Sequence, residues 1–225
     1  MPRITVLLAE DHQIVRQGFR SLLERESDLD VVGEAETGRQ AVQLTRKLRP
    51  AVVVMDIAMP LLNGLEATRQ IRKDFPDTKV LILSAHSDDA YVKQVAALGA
   101  AGFLLKQTSS HILATAIREV QAGKTFFSAP VSKSLRKPWQ KPRVRGGQSG
   151  KTINRLSSRE VEVLQLIAEG RPNKQIAAEL GVSFKTVDKH RQHLMCKLDI
   201  HDIAGLTRYA IAQGITESTV RVTIL

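Results

Sequence analysis

Short apolar runs alternate along the first half of the chain with longer stretches in which apolar residues recur every three or four positions. A short apolar run is typical of a strand buried on both faces, and the wider spacing is typical of an amphipathic helix. The runs span residues 4–9, 31–33, 51–56, 79–84 and 101–105. The helical stretches span residues 12–24, 38–48, 63–75, 88–98 and 108–120. Five strands that alternate with five helices predict an α/β fold with a doubly wound parallel sheet.

The last third of the chain shows helical spacing only. Its four stretches span residues 157–170, 173–180, 183–198 and 202–213. The first begins with a serine cap, Ser157, followed three positions later by Glu160. The short turn between the second and third fits a helix-turn-helix, whose second helix enters the major groove of DNA. From spacing alone, a small helical bundle with a solvated polar face is the alternative.

A basic segment rich in Ser, Pro and Gly separates these two parts. Residues 125–152 carry 7 Lys or Arg and no Asp or Glu, whereas residues 1–124 carry 16 basic and 15 acidic residues. Either a solvated linker or a segment that binds a polyanion would have this composition. We therefore predict an α/β domain at 1–124, a linker at 125–152, a helical domain at 153–216 and a tail at 217–225.

Composition limits the compartment and the class of protein. The chain has 225 residues, of which 43% are hydrophobic, and a single cysteine, Cys196. One cysteine excludes an internal disulfide framework, and we expect Cys196 to pack as a small apolar side chain. No apolar run reaches the roughly 18 residues of a membrane span, and the start does not match a signal peptide. We expect a cytoplasmic protein that does not associate with membranes.

Polar residues follow four of the predicted strands. Because the carboxyl ends of parallel strands share one edge of the sheet, these side chains should meet. They are Glu10, Asp11, Asp56, Ser84 and Lys106. Three carboxylates repel one another unless a cation joins them, and a hard cation such as Mg²⁺ prefers oxygen ligands. A carboxylate beside Mg²⁺ and a lysine is suited to attack phosphorus.

Two other classes of α/β protein do not fit this edge. A dinucleotide site needs a Gly-rich turn after the first strand, and residues 9–12 contain no glycine. A phosphatase with an aspartate nucleophile resembles D-x-D, but Ala58 stands where the second acid would be. A general acid for turnover is therefore missing.

The order of these residues, together with Met59, Pro60, Asn63 and Gly64, resembles the receiver domain of two-component response regulators. The resemblance implies that Asp56 accepts a phosphoryl group and that Lys106 pairs with it. It implies that Mg²⁺ is held by Glu10, Asp11, Asp56 and the backbone carbonyl of Ala58. It also implies a switch, in which Ser84 engages the phosphoryl group and Phe103 swings inward. The fold would then be flavodoxin-like, and the protein would not be an enzyme beyond slow self-dephosphorylation.

Residues 156–198 carry a second pattern, including Asn173, Lys174, Val187 and Lys197, that resembles the LuxR-type DNA-binding domain. With the receiver before it, the chain is similar to NarL/FixJ-type response regulators. The resemblance implies that Asp188, Lys189 and Gln192 face bases. It assigns phosphate contacts to four further residues, Lys174, Lys185, Thr186 and His190. Asp188 departs from the commoner basic residue, which affects the operator sequence rather than DNA binding itself.

Together these patterns predict a transcription regulator of a two-component phosphorelay. The implied partners are a sensor histidine kinase, promoter half-sites in double-stranded DNA and a second copy of the chain after phosphorylation, with RNA polymerase as a further candidate. A regulator that binds DNA constitutively, without using Asp56, is one alternative. A protein-interaction module without DNA recognition is another, and the basic face of the third helix argues against it.

Overall fold

The computed structural model describes residues 3–85, 92, 95–107, 110–127 and 156–216. The chain divides into two compact units, Met1–Lys141 and Pro142–Leu225. The predicted tail at 217–225 and most of the predicted linker lie outside the described residues. None of the helices in the described ranges has the length and apolar character that a membrane span requires.

The first unit contains a parallel sheet. Its strands are β1 (Ile4–Ala9), β2 (Leu29–Ala35), β3 (Val52–Asp56), β4 (Lys79–Ser84), β5 (Gly102–Leu105) and β6 (Phe126–Phe127). They are ordered β2-β1-β3-β4-β5-β6, and every neighbouring pair is parallel. The strand order reverses direction at β1, as the doubly wound fold predicts, so the fold class is confirmed.

The predicted strand count was one too low. Phe126 and Phe127 pair with Gly102 and Phe103 of β5 and extend the sheet at its edge. Both rings are partly buried against the apolar clusters on the two faces of the sheet. Two residues are too few to show a period, which is why this strand was assigned to the linker.

Helices cover both faces of the sheet. They are α1 (Gln13–Leu23), α2 (Gly38–Leu48), α3 (Gly64–Asp74) and α4 (Ser110–Gln121). These bounds agree with the predicted stretches to within about two residues. Most of the predicted helix at 88–98, and the predicted caps Thr108 and Ser109, lie outside the described residues, although residues 95–97 are helical.

Strand β3 shows why an unbroken apolar run was the correct signature. Val53 and Met55 belong to the apolar cluster on one face of the sheet, and Val52 and Val54 belong to the cluster on the other face. Successive side chains of a strand point to opposite faces, so a strand covered on both sides needs apolar residues at every position. Burial of the whole strand leaves Asp56 at its carboxyl end, also buried.

The second unit is helical throughout its described part. Its helices are α5 (Ser158–Ala168), α6 (Asn173–Leu180), α7 (Phe184–Leu198) and α8 (Ile203–Ala212). Ser157 and Glu160 form the predicted capping box at the start of α5. Ser183 accepts a hydrogen bond from the backbone N–H of Thr186 at the start of α7. Gly181 ends α6 with a left-handed φ of 62°, which gives the tight turn of a helix-turn-helix.

Cys196 contradicts its prediction, because its side chain is exposed. The buried positions of α7 are Val187 and Leu194. At about 100° per residue, Cys196 lies roughly 200° around the helix from Leu194 and faces away from the core.

Two glycines allow a test of how β6 is held. A Cβ on Gly102 would lie 2.5 Å from the carbonyl oxygen of Phe126 and 2.7 Å from Leu81 Cδ1. We expect Gly102→Ala to displace β6 and lower the free energy of unfolding by about 1–3 kcal/mol, as overpacking does. Gly18 of α1 has nothing within 4 Å. There the same substitution should raise the free energy of unfolding by about 0.5–1 kcal/mol. Urea unfolding followed by circular dichroism measures both, and a shift of the same sign in both variants would contradict this account.

Candidate functional site

The carboxyl edge of the sheet brings a lysine between two buried carboxylates. Lys106, just after β5, places Nζ 2.8 Å from Glu10 Oε2 and 2.9 Å from Asp56 Oδ2. Glu10 follows β1, Asp56 ends β3, and each is only 2% exposed. Ser84, at the end of β4, is also buried, and its carbonyl accepts a hydrogen bond from the Lys106 backbone N–H. The predicted convergence of strand ends is therefore observed.

Burial and charge act together on Asp56. Burial is the larger cause and the neighbouring charge of Glu10 adds to it, so the pKa of Asp56 rises to about 6 even though Lys106 acts in the opposite direction. Burial also opposes the charge of Lys106, but Asp56 and Glu10 outweigh it and raise the pKa of Lys106. At neutral pH the edge therefore holds an ionised Asp56 beside an ammonium group. A carboxylate whose pKa is raised by burial is a frequent feature of reactive sites.

Glycines fix the loop that follows Asp56. The Asp56 Oδ1 accepts a hydrogen bond from the Ile57 backbone N–H at 2.8 Å, and Gly64 N–H donates to the Ile57 carbonyl at 2.8 Å. A Cβ on Gly64 would lie 1.8 Å from the carbonyl oxygen of Asp56, so no other residue fits there. Gly38 is similarly close to the carbonyl of Leu62. In the sequence Gly64 belongs to a motif, and in the structure it permits this close approach of two backbone segments.

His12 joins the acidic pair and was overlooked in the sequence. Its Nδ1 lies 2.9 Å from Asp11 Oδ1 and 3.1 Å from Glu10 Oε1. Asp11 is the main cause that raises the pKa of His12. Ligand atoms of Glu10, Asp11 and His12 all lie within 4.8 Å of one another, an arrangement that could hold a metal ion. The position of His12 directly after two acids was the available signal.

Arg16 was also overlooked, and arginine side chains are mostly exposed in folded proteins. Instead it is buried, while Ile14 on the same helix is 86% exposed. The guanidinium donates to the backbone carbonyl of Glu10 at 2.7 Å, to Glu34 Oε2 at 3.0 Å and to Glu36 Oε1 at 2.7 Å. Arg16 therefore ties the end of β1, where the acids stand, to the end of β2.

Phe103, the predicted switch residue, lies in the core of the first unit. Its ring is fully buried, and it pairs with Ile82 of β4 in the sheet register. Ser84 ends the same strand β4 two residues later. The ring of Phe103 is therefore buried in this structure, and its movement stays a prediction.

In the second unit the predicted DNA-contacting residues lie on the outer surface of α6 and α7. The exposed members are Lys174, Lys185, Lys189 and Gln192, and the partly buried members are Thr186, Asp188 and His190. Asp188 Oδ2 accepts a hydrogen bond from Gln192 Nε2 at 3.2 Å, which orients both side chains. Arg191, between them in sequence, instead donates to Asn173 Oδ1 at 2.5 Å and fastens α7 to the start of α6.

Comparison with known families identifies both units. The model described as response regulator receiver domain matches residues 6–118, and the model described as bacterial regulatory proteins, luxR family, matches residues 154–210. The chain is 38% identical over 215 residues to the oxygen regulatory protein NreC of Staphylococcus epidermidis, covering 94% of this chain and 99% of that protein. The chain is a two-component response regulator.

Solved structures of response regulators agree with this assignment. A structure of two RcsB dimers bound to two parallel DNAs matches with a TM-score of 0.58 and 30% identity, over 93% of this chain and 98% of that one. The isolated receiver domain of RcsB from Salmonella enterica serovar Typhimurium, solved with the phosphomimetic BeF₃⁻, matches with a TM-score of 0.55 and 30% identity. It covers 59% of this chain and 98% of that one.

The family assignment confirms the predicted function class, a transcriptional response regulator with a receiver domain and a LuxR-type DNA-binding domain. Response regulators of this type are transcription factors rather than classical enzymes. The roles of individual site residues, and the domain bounds, remain predictions.

The raised pKa of Asp56 predicts how pH affects stability without metal. The group changes from an ordinary pKa of 3.8 to about 6 on folding. Below pH 3.8 Asp56 is protonated in both states, so its burial does not lower the free energy of unfolding. Above pH 6 the buried charge lowers the free energy of unfolding by its full amount, about 1–3 kcal/mol. We expect Asp56→Asn to be more stable than wild type at pH 7 in EDTA, with the difference vanishing near pH 4.

Thermal and urea unfolding across this pH range would test the expectation. Asp30→Asn removes an exposed carboxylate from β2 and serves as the control, with little expected change at any pH. A constant difference between wild type and Asp56→Asn from pH 4 to pH 7 would show that burial of the charge is not the cause.

Proposed function

We propose that Asp56 accepts a phosphoryl group from a sensor histidine kinase in a Mg²⁺-dependent step, and that this event controls DNA binding by α7. The main support is the position of Lys106 between the buried carboxylates of Asp56 and Glu10. An ammonium group there stabilises negative charge on the phosphoryl oxygens during transfer. An Asp56 oxygen forms the new bond to phosphorus while the bond from phosphorus to the donor nitrogen breaks.

The donor set fits Mg²⁺. Glu10, Asp11 and Asp56 present hard carboxylate oxygens, and Lys106 balances only part of their charge. These three residues and the backbone carbonyl of Ala58 would hold the ion. When bound, Mg²⁺ supplies positive charge that neutralises the transferring phosphoryl group. Lys106 would then pair with the phosphoryl group, and the burial of Asp56 would limit the access of water to it.

Signal transmission is proposed to begin at Ser84 and Phe103. Ser84 lies at the end of β4, next to β3 with Asp56, and Phe103 lies on the neighbouring strand β5. A hydrogen bond from Ser84 to the phosphoryl group would favour the inward position of Phe103. Such a two-state element alters the surface around it.

DNA recognition is proposed for the outer surface of α6 and α7. Lys174, Lys185, Thr186 and His190 would contact phosphates. Asp188, Lys189 and Gln192 would contact base edges, where the carboxylate of Asp188 accepts from cytosine N4. The structure of two RcsB dimers bound to two parallel DNAs supports DNA binding by a homodimer. Our proposal adds that phosphorylation promotes this dimer and that it binds two half-sites. RNA polymerase is a further proposed partner, and promoter DNA implies the cytoplasm. We also propose that the domains span residues 1–124 and 153–216, with a linker at 125–152 and a tail at 217–225.

Arg16 provides a test of the metal site. At a concentration tenfold above its dissociation constant, Mg²⁺ should raise the free energy of unfolding by about 1.4 kcal/mol. Because Arg16 holds the carbonyl of Glu10, we expect Arg16→Gln to weaken Mg²⁺ binding about tenfold, the size typical of residues that orient metal ligands. Titration of Mg²⁺ against the unfolding midpoint measures this.

Arg20→Gln is the matched control. Arg20 pairs with Glu24 and Glu34 but makes no contact with Glu10. Its loss should lower stability slightly and leave the Mg²⁺ response unchanged. An equal loss of Mg²⁺ response in both variants would mean that Arg16 acts only through general stability.

DNA binding with and without phosphorylation tests the whole proposal. Wild type and Asp56→Asn are each measured against a mixed pool of duplexes, with and without acetyl phosphate and Mg²⁺. We expect only wild type with the phosphodonor to bind more tightly, by about tenfold to a hundredfold, the usual size of such coupling. Equal binding by both proteins under all conditions would leave DNA binding intact and reject the phosphorylation switch.

A further inference from the structure

Helix α7 begins with an aromatic ring that faces solvent. Phe184, directly after the capping residue Ser183, is 56% exposed. Five large apolar side chains are exposed among the described residues, and Phe184 is the only aromatic one. The fold does not need this ring, because Ser183 caps the helix and Val187 and Leu194 supply its buried face. A single exposed apolar side chain is ordinary on a protein surface, so its place at the start of α7, rather than its exposure alone, singles out Phe184.

The position of Phe184 relates it to the proposed base-contacting residues. Positions 184, 188 and 192 are spaced four apart, so Phe184, Asp188 and Gln192 lie along one face of α7. Exposed Lys185 and Lys189 flank this face. In helix-turn-helix proteins, the N-terminal residues of the second helix are those that reach base edges.

The chemistry of the ring restricts what it can recognise. A phenyl ring offers no hydrogen bond to a base edge or a phosphate. The apolar group that a base pair presents in the major groove is the 5-methyl group of thymine, and phenylalanine is a residue suited to contact it. We propose that Phe184 is a specificity-determining residue that reads one thymine in each half-site through its methyl group. This inference rests on the proposed entry of α7 into the major groove.

Uracil substitution tests the contact directly, because uracil pairs like thymine and lacks only the methyl group. Duplexes are first selected from a random pool with phosphodonor-treated wild type. Each thymine is then replaced by uracil in turn, and binding is followed by fluorescence anisotropy at fixed salt. Loss of one methyl contact should weaken wild type about threefold to tenfold at one position in each half-site. Phe184→Ala should bind thymine and uracil duplexes equally, and Phe184→Leu should retain part of the preference.

The matched control is the neighbouring Lys185→Gln. Loss of a phosphate contact should weaken binding to thymine and uracil duplexes alike and reduce the salt dependence, while the uracil effect persists. Circular dichroism checks that Phe184→Ala is folded, as expected for an exposed position in a helix.

Two results would overturn the inference while leaving the proposed function intact. One is that replacing thymine by uracil leaves the affinity of the wild-type protein unchanged at every position of a selected duplex. The other is a Phe184→Ala variant that is as sensitive to uracil as wild type. Failure of wild type to bind any duplex would instead overturn the proposed function, and this inference with it.

Discussion

The contact of Lys106 with Glu10 and Asp56 is the interaction on which the first unit depends for its chemistry. Two carboxylates buried at the same edge repel each other, and burial itself opposes their charge. One ammonium group within 2.9 Å of both makes the arrangement tolerable but does not balance the charge of Glu10, Asp11 and Asp56 together. The free protein therefore holds a net negative charge at this edge, and the proposed metal ion would relieve a cost already present in the fold.

This constraint explains several features that otherwise have no common cause. Asp56 can be buried because β3 is apolar on both faces and carries it into the core. Gly64 is needed because the loop after Asp56 turns back against its carbonyl. Arg16 donates a hydrogen bond to the backbone carbonyl of Glu10, so the position of Glu10 is fixed through its backbone as well as through its side chain. Pre-organisation of this kind would reduce the ordering cost of the proposed metal binding and phosphoryl transfer.

Much of this could be predicted from the sequence, because strand ends in a parallel sheet must meet at one edge. The apolar run before Asp56 and the order of Glu10, Ser84 and Lys106 needed no tertiary information. The features missed depend on contacts between distant segments. Strand β6 is two residues long, and the burial of Arg16 depends on acids about 20 positions away. Cys196 was misjudged because residue type was given more weight than its angle around α7.

Each unit has its own buried apolar core, and this limits the ways in which phosphorylation of the first could affect DNA binding by the second. The first unit buries apolar clusters on both faces of its own sheet, and the second packs its helices around α5, whose residues 161–167 are all buried. Neither core needs the other, so phosphorylation need not unfold or refold either one. Phosphorylation would change DNA affinity only if it stabilised one conformational state of the protein more than another. The change in affinity cannot exceed that difference in free energy. A coupling of about 1–3 kcal/mol is enough for a useful change in affinity and small compared with the stability of a domain. Weak coupling between two units with separate apolar cores would therefore be enough for the proposed switch.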